Sequence, residues 1–188
     1  MASVLVPLAQ GCEELEAVTV VDLLRRADID VVTAGLDSQR VRASRGMLLV
    51  PDMTLDVALQ QDFDMIVLPG GLPGADHLRD DVRVIAVLKK MAAADKYTAA
   101  ICAAPRVLAR AGLLDGKRAT SYPGALDIDA VPGIDYQEQA VVTDGKVITS
   151  RGPGTAMDFA LTLVEVLVGK QRRDQVETAL QRASRGQS

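Results

Sequence analysis

Aromatic residues are scarce in this chain: two Phe, three Tyr and no Trp amount to 3% of 188 residues, while 48% are apolar. A core with so few rings must be built from Val, Leu, Ile and Ala, as in sheets covered by helices on both faces. Histidine is scarcer still. One His and two separated Cys argue against a transition-metal centre, and two cysteines do not make a disulfide scaffold. Basic charge is not in excess: 21 Lys and Arg against 25 Asp and Glu give a net charge of −4. That excludes the clustered cations a nucleic-acid binder needs, and Arg25-Arg26 and Arg172-Arg173 read as solvated helix faces. No apolar run reaches the ~18 residues of a membrane helix. The segment 1–9 has no basic lead and meets acidic residues by Glu13, so it does not read as a secretory signal. The expectation is one cytoplasmic domain over residues 1–188, with no membrane or nucleic-acid partner and a polar tail from Ser184.

What is present alternates. Apolar segments at 4–8, 29–34, 65–68 and 97–101 read as strands, and 13–27, 82–94, 103–111 and 153–168 as helices. Residues 40–50 form an expected hairpin turning at Arg45-Gly46, and Asp144-Gly145 turns a second one. A short helical turn falls at 55–59, residues 118–140 read as loops with one short strand, and a final amphipathic helix follows Gly169. This alternation predicts an α/β fold with a doubly wound parallel sheet, whose ligands bind outside the C-terminal strand ends. The loop 10–16, the turn 69–74, Cys102-Ala103 and residues 151–154 all fall on that edge. The first helix is apolar on more than one side, through Ala17, Val18, Val20, Val21, Leu23 and Leu24, which predicts a second partner for it: another copy of the chain.

Cys102 ends a strand and opens the small-residue run Ala103-Ala104-Pro105. A thiol at a helix N-terminus has its anion favoured by unpaired N–H groups and the helix dipole, so Cys102 is the candidate nucleophile or redox centre. The N–H of Ala103 and one from the Gly70-Gly71 turn would make an oxyanion hole. Glu16 precedes an apolar run and can point inward; burial would raise its pKa and let its carboxyl donate to the sulfur. Glu13 and Glu14 read as partners of the helix dipole. His77 is expected at a helix start in solvent, and Cys12 as an isolated loop thiol.

Four segments together resemble the ThiJ/PfpI superfamily, in the branch holding the YajL proteins and the parkinsonism-associated deglycase. They are Gly11-Cys12-Glu13-Glu14-Leu15-Glu16-Ala17-Val18, Leu68-Pro69-Gly70-Gly71, Ala99-Ala100-Ile101-Cys102-Ala103-Ala104-Pro105 and Ser150-Arg151-Gly152-Pro153-Gly154-Thr155. The resemblance implies a flavodoxin-like fold, a homodimer and a reactive cysteine at a strained elbow. Cys102 matches the family's oxidisable nucleophile, Glu16 its protonated glutamate, and Gly71 and Ala103 its backbone donors. Gly70 and Pro153 fall inside the matching motifs, Arg45 matches an arginine near the glutamate loop, and Asp22 an acidic residue close to the dimer interface. Tyr122 stands where the human relative has a histidine, so a Cys–His dyad is not expected. Ala103 stands where the superfamily's proteases carry histidine, which argues against peptidase activity. The implied function is a cofactor-independent glyoxalase or deglycase of the oxidative-stress response, acting on methylglyoxal and its early adducts with thiols and amines. The alternative is a redox-sensing chaperone whose Cys102 is oxidised to a sulfinate without significant turnover.

Overall fold

A computed structural model describes residues 1–37 and 40–182, so the expected tail from Ser184 lies outside the described residues. The first half runs β1 (Ser3–Leu8), α1 (Glu14–Arg26), β2 (Asp30–Gly35), β3 (Val41–Arg42), β4 (Leu48–Leu49), β5 (Met53–Thr54), α2 (Leu55–Ala58) and β6 (Met65–Leu68). There follow α3 (Gly74–Asp80), α4 (Val82–Ala93), β7 (Tyr97–Ile101), α5 (Pro105–Arg110), β8 (Arg118–Ala119) and β9 (Asp135–Tyr136). The chain closes with β10 (Val141–Asp144), β11 (Val147–Ser150), α6 (Ala156–Val168) and α7 (Lys170–Ala179).

Seven strands form one sheet in the order β10-β11-β7-β6-β1-β2-β5. Every pairing is parallel except the β10–β11 hairpin at the edge. The expected α/β doubly wound architecture is what the chain adopts. Period-2 alternation explains why both faces are covered. Val4, Val6, Met65, Val67, Ala99 and Ile101 face one core with Val20, Leu24, Phe159 and Leu163 of α1 and α6. Leu5, Ile66, Leu68 and Ala100 face the other, with Leu55 of α2, Leu88 of α4 and Leu108 of α5.

The hairpin expected over 40–50 pairs Val41 with Leu49 and Arg42 with Leu48. The expected helix over 103–111 is a correction: residues 102–104 form a turn, and α5 starts only at Pro105 and is six residues long. Among the described residues no helix is long and apolar enough to cross a membrane, and no cluster of His, Cys, Asp and Glu could hold a metal ion.

Candidate active site

Parallel strands deliver their following loops to one edge of the sheet. There the segments after β1, β6, β7 and β11 meet. β7 ends at Ile101, and Cys102 turns the chain sharply at φ +64, a left-handed conformation that costs a non-glycine residue roughly 1 kcal/mol or more. Two backbone bonds hold it there: Cys102 N–H donates to the Ser150 carbonyl at 2.9 Å, and Tyr122 N–H donates to the Cys102 carbonyl at 2.9 Å. The elbow is thus pinned between β11 and the turn that carries Tyr122, leaving Cys102 with 9% of its surface exposed.

The backbone N–H groups of Gly71 and Ala103 hydrogen-bond the Cys102 sulfur. Gly71 can turn its N–H inward because it sits at φ +85, packed so closely on the β1–α1 loop that a Cβ would lie 2.7 Å from the Gly11 carbonyl oxygen. Gly70 is equally constrained: a Cβ there would lie 2.6 Å from Cys102 Cβ and 2.8 Å from Glu16 Oε2.

Glu16 is completely buried. Glu13 caps α1 by accepting the Glu16 N–H at 2.8 Å, which fixes the first turn and aims the Glu16 side chain under the sheet edge. Glu16 Oε2 accepts the Gly70 N–H at 2.8 Å, and Oε1 is buried without a well-formed hydrogen bond. The Cys102 thiol is the titratable group that hydrogen-bonds this carboxyl. Burial raises the Glu16 carboxyl from 4.5 to about 7, against the Gly70 N–H and the thiol, which favour its anion. Burial, followed by the charge and hydrogen bond of Glu16, pushes the Cys102 thiol up to about 12, against the N–H groups of Gly71 and Ala103. This corrects the sequence expectation that a helix N-terminus favours the thiolate. A six-residue helix starting three positions later supplies little dipole, and any stabilisation of the anion comes from two amides and from the protonation of Glu16.

The structure brings Cys102, Glu16, Gly70, Gly71, Ala103 and Tyr122 together. Tyr122 is 52% exposed, and its ring lies over Gly152: a Cβ there would sit 3.3 Å from Tyr122 Cδ2 and 4.0 Å from Cys102 Sγ. Pro153 follows directly, opening a single 3-10 turn before α6. Arg45 is not drawn in: its side chain is exposed, and its N–H donates to Glu14, not to Glu16. Asp22 lies away from the sulfur on the outer face of α1, paired with Arg26 at 2.7 Å. His77 is exposed on α3 with Nδ1 3.1 Å from the Gln10 carbonyl. Cys12 is not an open loop thiol; it is fully buried, and burial with the Glu14 charge pushes it up to about 12.

Two residues escaped the sequence reading. Glu14 does more than face a dipole, since its carboxylate accepts from Arg45 N at 2.9 Å and Ser44 Oγ at 3.1 Å and so ties the β3–β4 turn to α1. Burial opposes its ionisation, but these donors and its own N–H hold it below the usual carboxylate range. The other is Arg106, four residues past the thiol. The signal for it was a lone guanidinium inside the apolar run Ala103-Ala104-Pro105-Arg106-Val107-Leu108.

The description of the DJ-1/PfpI family matches residues 2–166. The chain is 43% identical over 178 residues to Protein DJ-1 homolog B of Arabidopsis thaliana, covering 94% of itself but only 40% of that relative's length. It is 35% identical over 171 residues to the Glutathione-independent glyoxalase DJR-1.2 of Caenorhabditis elegans, covering 91% of this chain and 90% of the relative. The crystal structure of Drosophila melanogaster DJ-1beta superimposes with a TM-score of 0.92 at 42% identity, over 97% of this chain and 99% of that one. Agreement of sequence and fold along nearly the whole chain has one conclusion: this protein belongs to the DJ-1/PfpI family.

Proposed function

We propose that this chain is a cofactor-independent enzyme that converts reactive dicarbonyls such as methylglyoxal, and their early adducts with thiols and amines, to hydroxy acids. The observation that carries this reading is the convergence of two backbone N–H groups and a buried carboxyl on one sulfur. The name of the nematode glyoxalase supports it.

The chemistry follows from the arrangement. Near neutrality Glu16 is within reach of its midpoint at about 7, so it holds a proton for much of the time. With Glu16 neutral, its charge no longer opposes the thiolate, and its O–H can donate to the sulfur while Gly71 and Ala103 keep their hydrogen bonds. The Cys102 thiolate adds to the aldehyde carbon, and the oxygen takes up the negative charge as a hemithioacetal alkoxide, stabilised by the two amides. Glu16 gives its proton to that oxygen and, now a carboxylate, removes the proton from the same carbon to form an enediolate. Returning that proton to the adjacent carbon, while the hydroxyl proton moves to the second oxygen, leaves a thioester of a hydroxy acid. Water then cleaves the C–S bond, releasing the hydroxy acid and restoring the thiol. The net change is one water added to one dicarbonyl, so no external oxidant, reductant or cofactor enters.

The test is lactate formation from methylglyoxal by wild type and by Cys102→Ala, with folding checked by circular dichroism. Turnover in wild type and none above background in the variant is expected. Full turnover in Cys102→Ala rejects the reading. If wild type makes no lactate but mild peroxide converts Cys102 selectively to a sulfinate by mass spectrometry, the redox-sensor alternative stands instead, with the same amides holding the oxidised sulfur.

We also infer that the protein pairs with itself. Val18 on α1 and Met47, Leu48 and Val50 on the β3–β4 hairpin are 46%, 53%, 53% and 72% exposed and form an uncovered apolar surface. Light scattering should give twice the chain mass, and Val18→Glu should halve it.

A further inference from the structure

The turn that carries Tyr122 is tied down by backbone hydrogen bonds as well as by the buried Ser121 and Leu126 on either side of it. It enters through Tyr122 N–H on the Cys102 carbonyl and closes on itself through Ala125 N–H on the Tyr122 carbonyl, both at 2.9 Å. Beneath its far side lies a hollow of about 490 Å³, lined by Arg79, Arg106, Arg110, Gly124, Leu126 and Val131. Leu126 and Val131 pack into the core on this side, and the hollow opens beside them.

Arg106 spans the gap. Its Nε and Nη2 both donate to the Ala125 carbonyl, at 3.1 and 2.8 Å. Its Nη1 reaches Asp76 Oδ1 of α3 at 2.8 Å, with only 22% of the arginine side chain and 34% of the aspartate exposed. Asp76 follows the Gly70-Gly71 turn by five residues and is itself gripped by Arg79 Nη1 at 2.9 Å. One planar guanidinium thus joins the helix after Cys102, the helix after the sulfur's amide donor, and the exit of the Tyr122 turn. A fork of this geometry cannot be supplied by a point-charge ammonium. At the other end of that turn the Tyr122 ring lies over Gly152, beside the sulfur.

We propose that Arg106 is a positioning residue whose guanidinium holds the Tyr122 turn against the mouth of the Cys102 site and thereby limits the size of molecule that reaches the sulfur. Tyr122 is the gate and Arg106 its fixed post. The proposal rests on the reading that the Cys102 sulfur is the reacting atom, but not on dicarbonyl turnover.

The test compares alkylation of Cys102 by iodoacetamide and by the bulky N-phenylmaleimide, resolved by peptide mass spectrometry, in wild type, Arg106→Met, Arg106→Lys, Tyr122→Ala and the Arg106→Met/Tyr122→Ala double variant. The bulky-to-small rate ratio should rise about fivefold in Arg106→Met and in Tyr122→Ala, and no further in the double variant, because coupled residues are not additive. Arg106→Lys keeps the Asp76 pair without the fork, so its ratio should fall between wild type and Arg106→Met. A lower melting temperature with an unchanged ratio would overturn the proposal, and so would a double variant in which the two effects multiply. If Arg106→Met does not fold, an unchanged ratio in Arg106→Lys overturns it equally. A shifted ratio in a protein that makes no lactate would support the gate and reject the proposed activity.

Discussion

Cys12 and Cys102 are both buried, and burial pushes both thiols up to about 12, yet their surroundings differ in kind. Around Cys12 the nearby charged groups are carboxylates, of Glu14, Glu13 and Glu16, and only its own backbone favours the anion. Around Cys102 the backbones of two other residues, Gly71 and Ala103, point N–H groups at the sulfur, and the single carboxyl is one that burial keeps near its midpoint. Cys12 follows a loop through unstrained backbone, whereas Cys102 is forced to φ +64 by bonds on both of its sides. Degree of burial therefore does not separate the thiol proposed to react from the other. The direction of neighbouring dipoles and the presence of a neutralisable acid do.

The contrast can be broken most sharply by deletion. Cys102→Ala should lower lactate formation by about 10³-fold or to background, whereas Cys12→Ala should leave it within roughly twofold. Equal losses from the two substitutions would erase the distinction.

Protonation of Glu16 leaves a stability signature. Its carboxyl titrates at about 7 in the folded chain against 4.5 for an ordinary glutamate, so the native state binds more protons in between. Its contribution is fully present below the lower value and is lost as pH rises through the upper one, a decline of about 3 kcal/mol at most. Denaturant melts between pH 4.5 and 7 should show this fall in wild type and a flatter profile in Glu16→Gln.

Packing sharpens the comparison further. Gly70→Ala forces a methyl to within 2.6 Å of Cys102 Cβ, and should cost about 2 kcal/mol of stability by overpacking, together with most of the activity. Cys12→Ala removes only a buried sulfur and should cost about 1 kcal/mol, read as a small shift in denaturation midpoint with alkylation of Cys102 unchanged.

Much of this was legible in the sequence. Runs such as Met65-Ile66-Val67-Leu68 specify strands buried on two faces, and their alternation with helical segments specifies the parallel sheet. The elbow was legible because Cys102 sits where a strand gives way to small residues. Local patterning could not reveal that the helix there waits until Pro105, since Ala103 and Ala104 are good helix formers overridden by the bonds that hold the turn. It set Glu16 apart as the acid before an apolar run, but it gave Glu14 no partner beyond the helix dipole. Two residues apart on one helix, they point to different loops, and only the tertiary fold supplies the Ser44-Arg45 turn to one and Gly70 to the other. Residues 118–140 hid the short β8–β9 pair because two-residue strands carry no periodicity.

The central claim concerns where one negative charge resides when Cys102 and Glu16 share a single proton. It is tested most directly by the pH dependence of iodoacetamide alkylation at Cys102 in wild type and Glu16→Gln. The account predicts that the midpoint moves downward when the amide replaces the acid, because the Glu16 charge that pushes the thiol up is then gone. A midpoint that is unmoved by the substitution, or that rises, would contradict it.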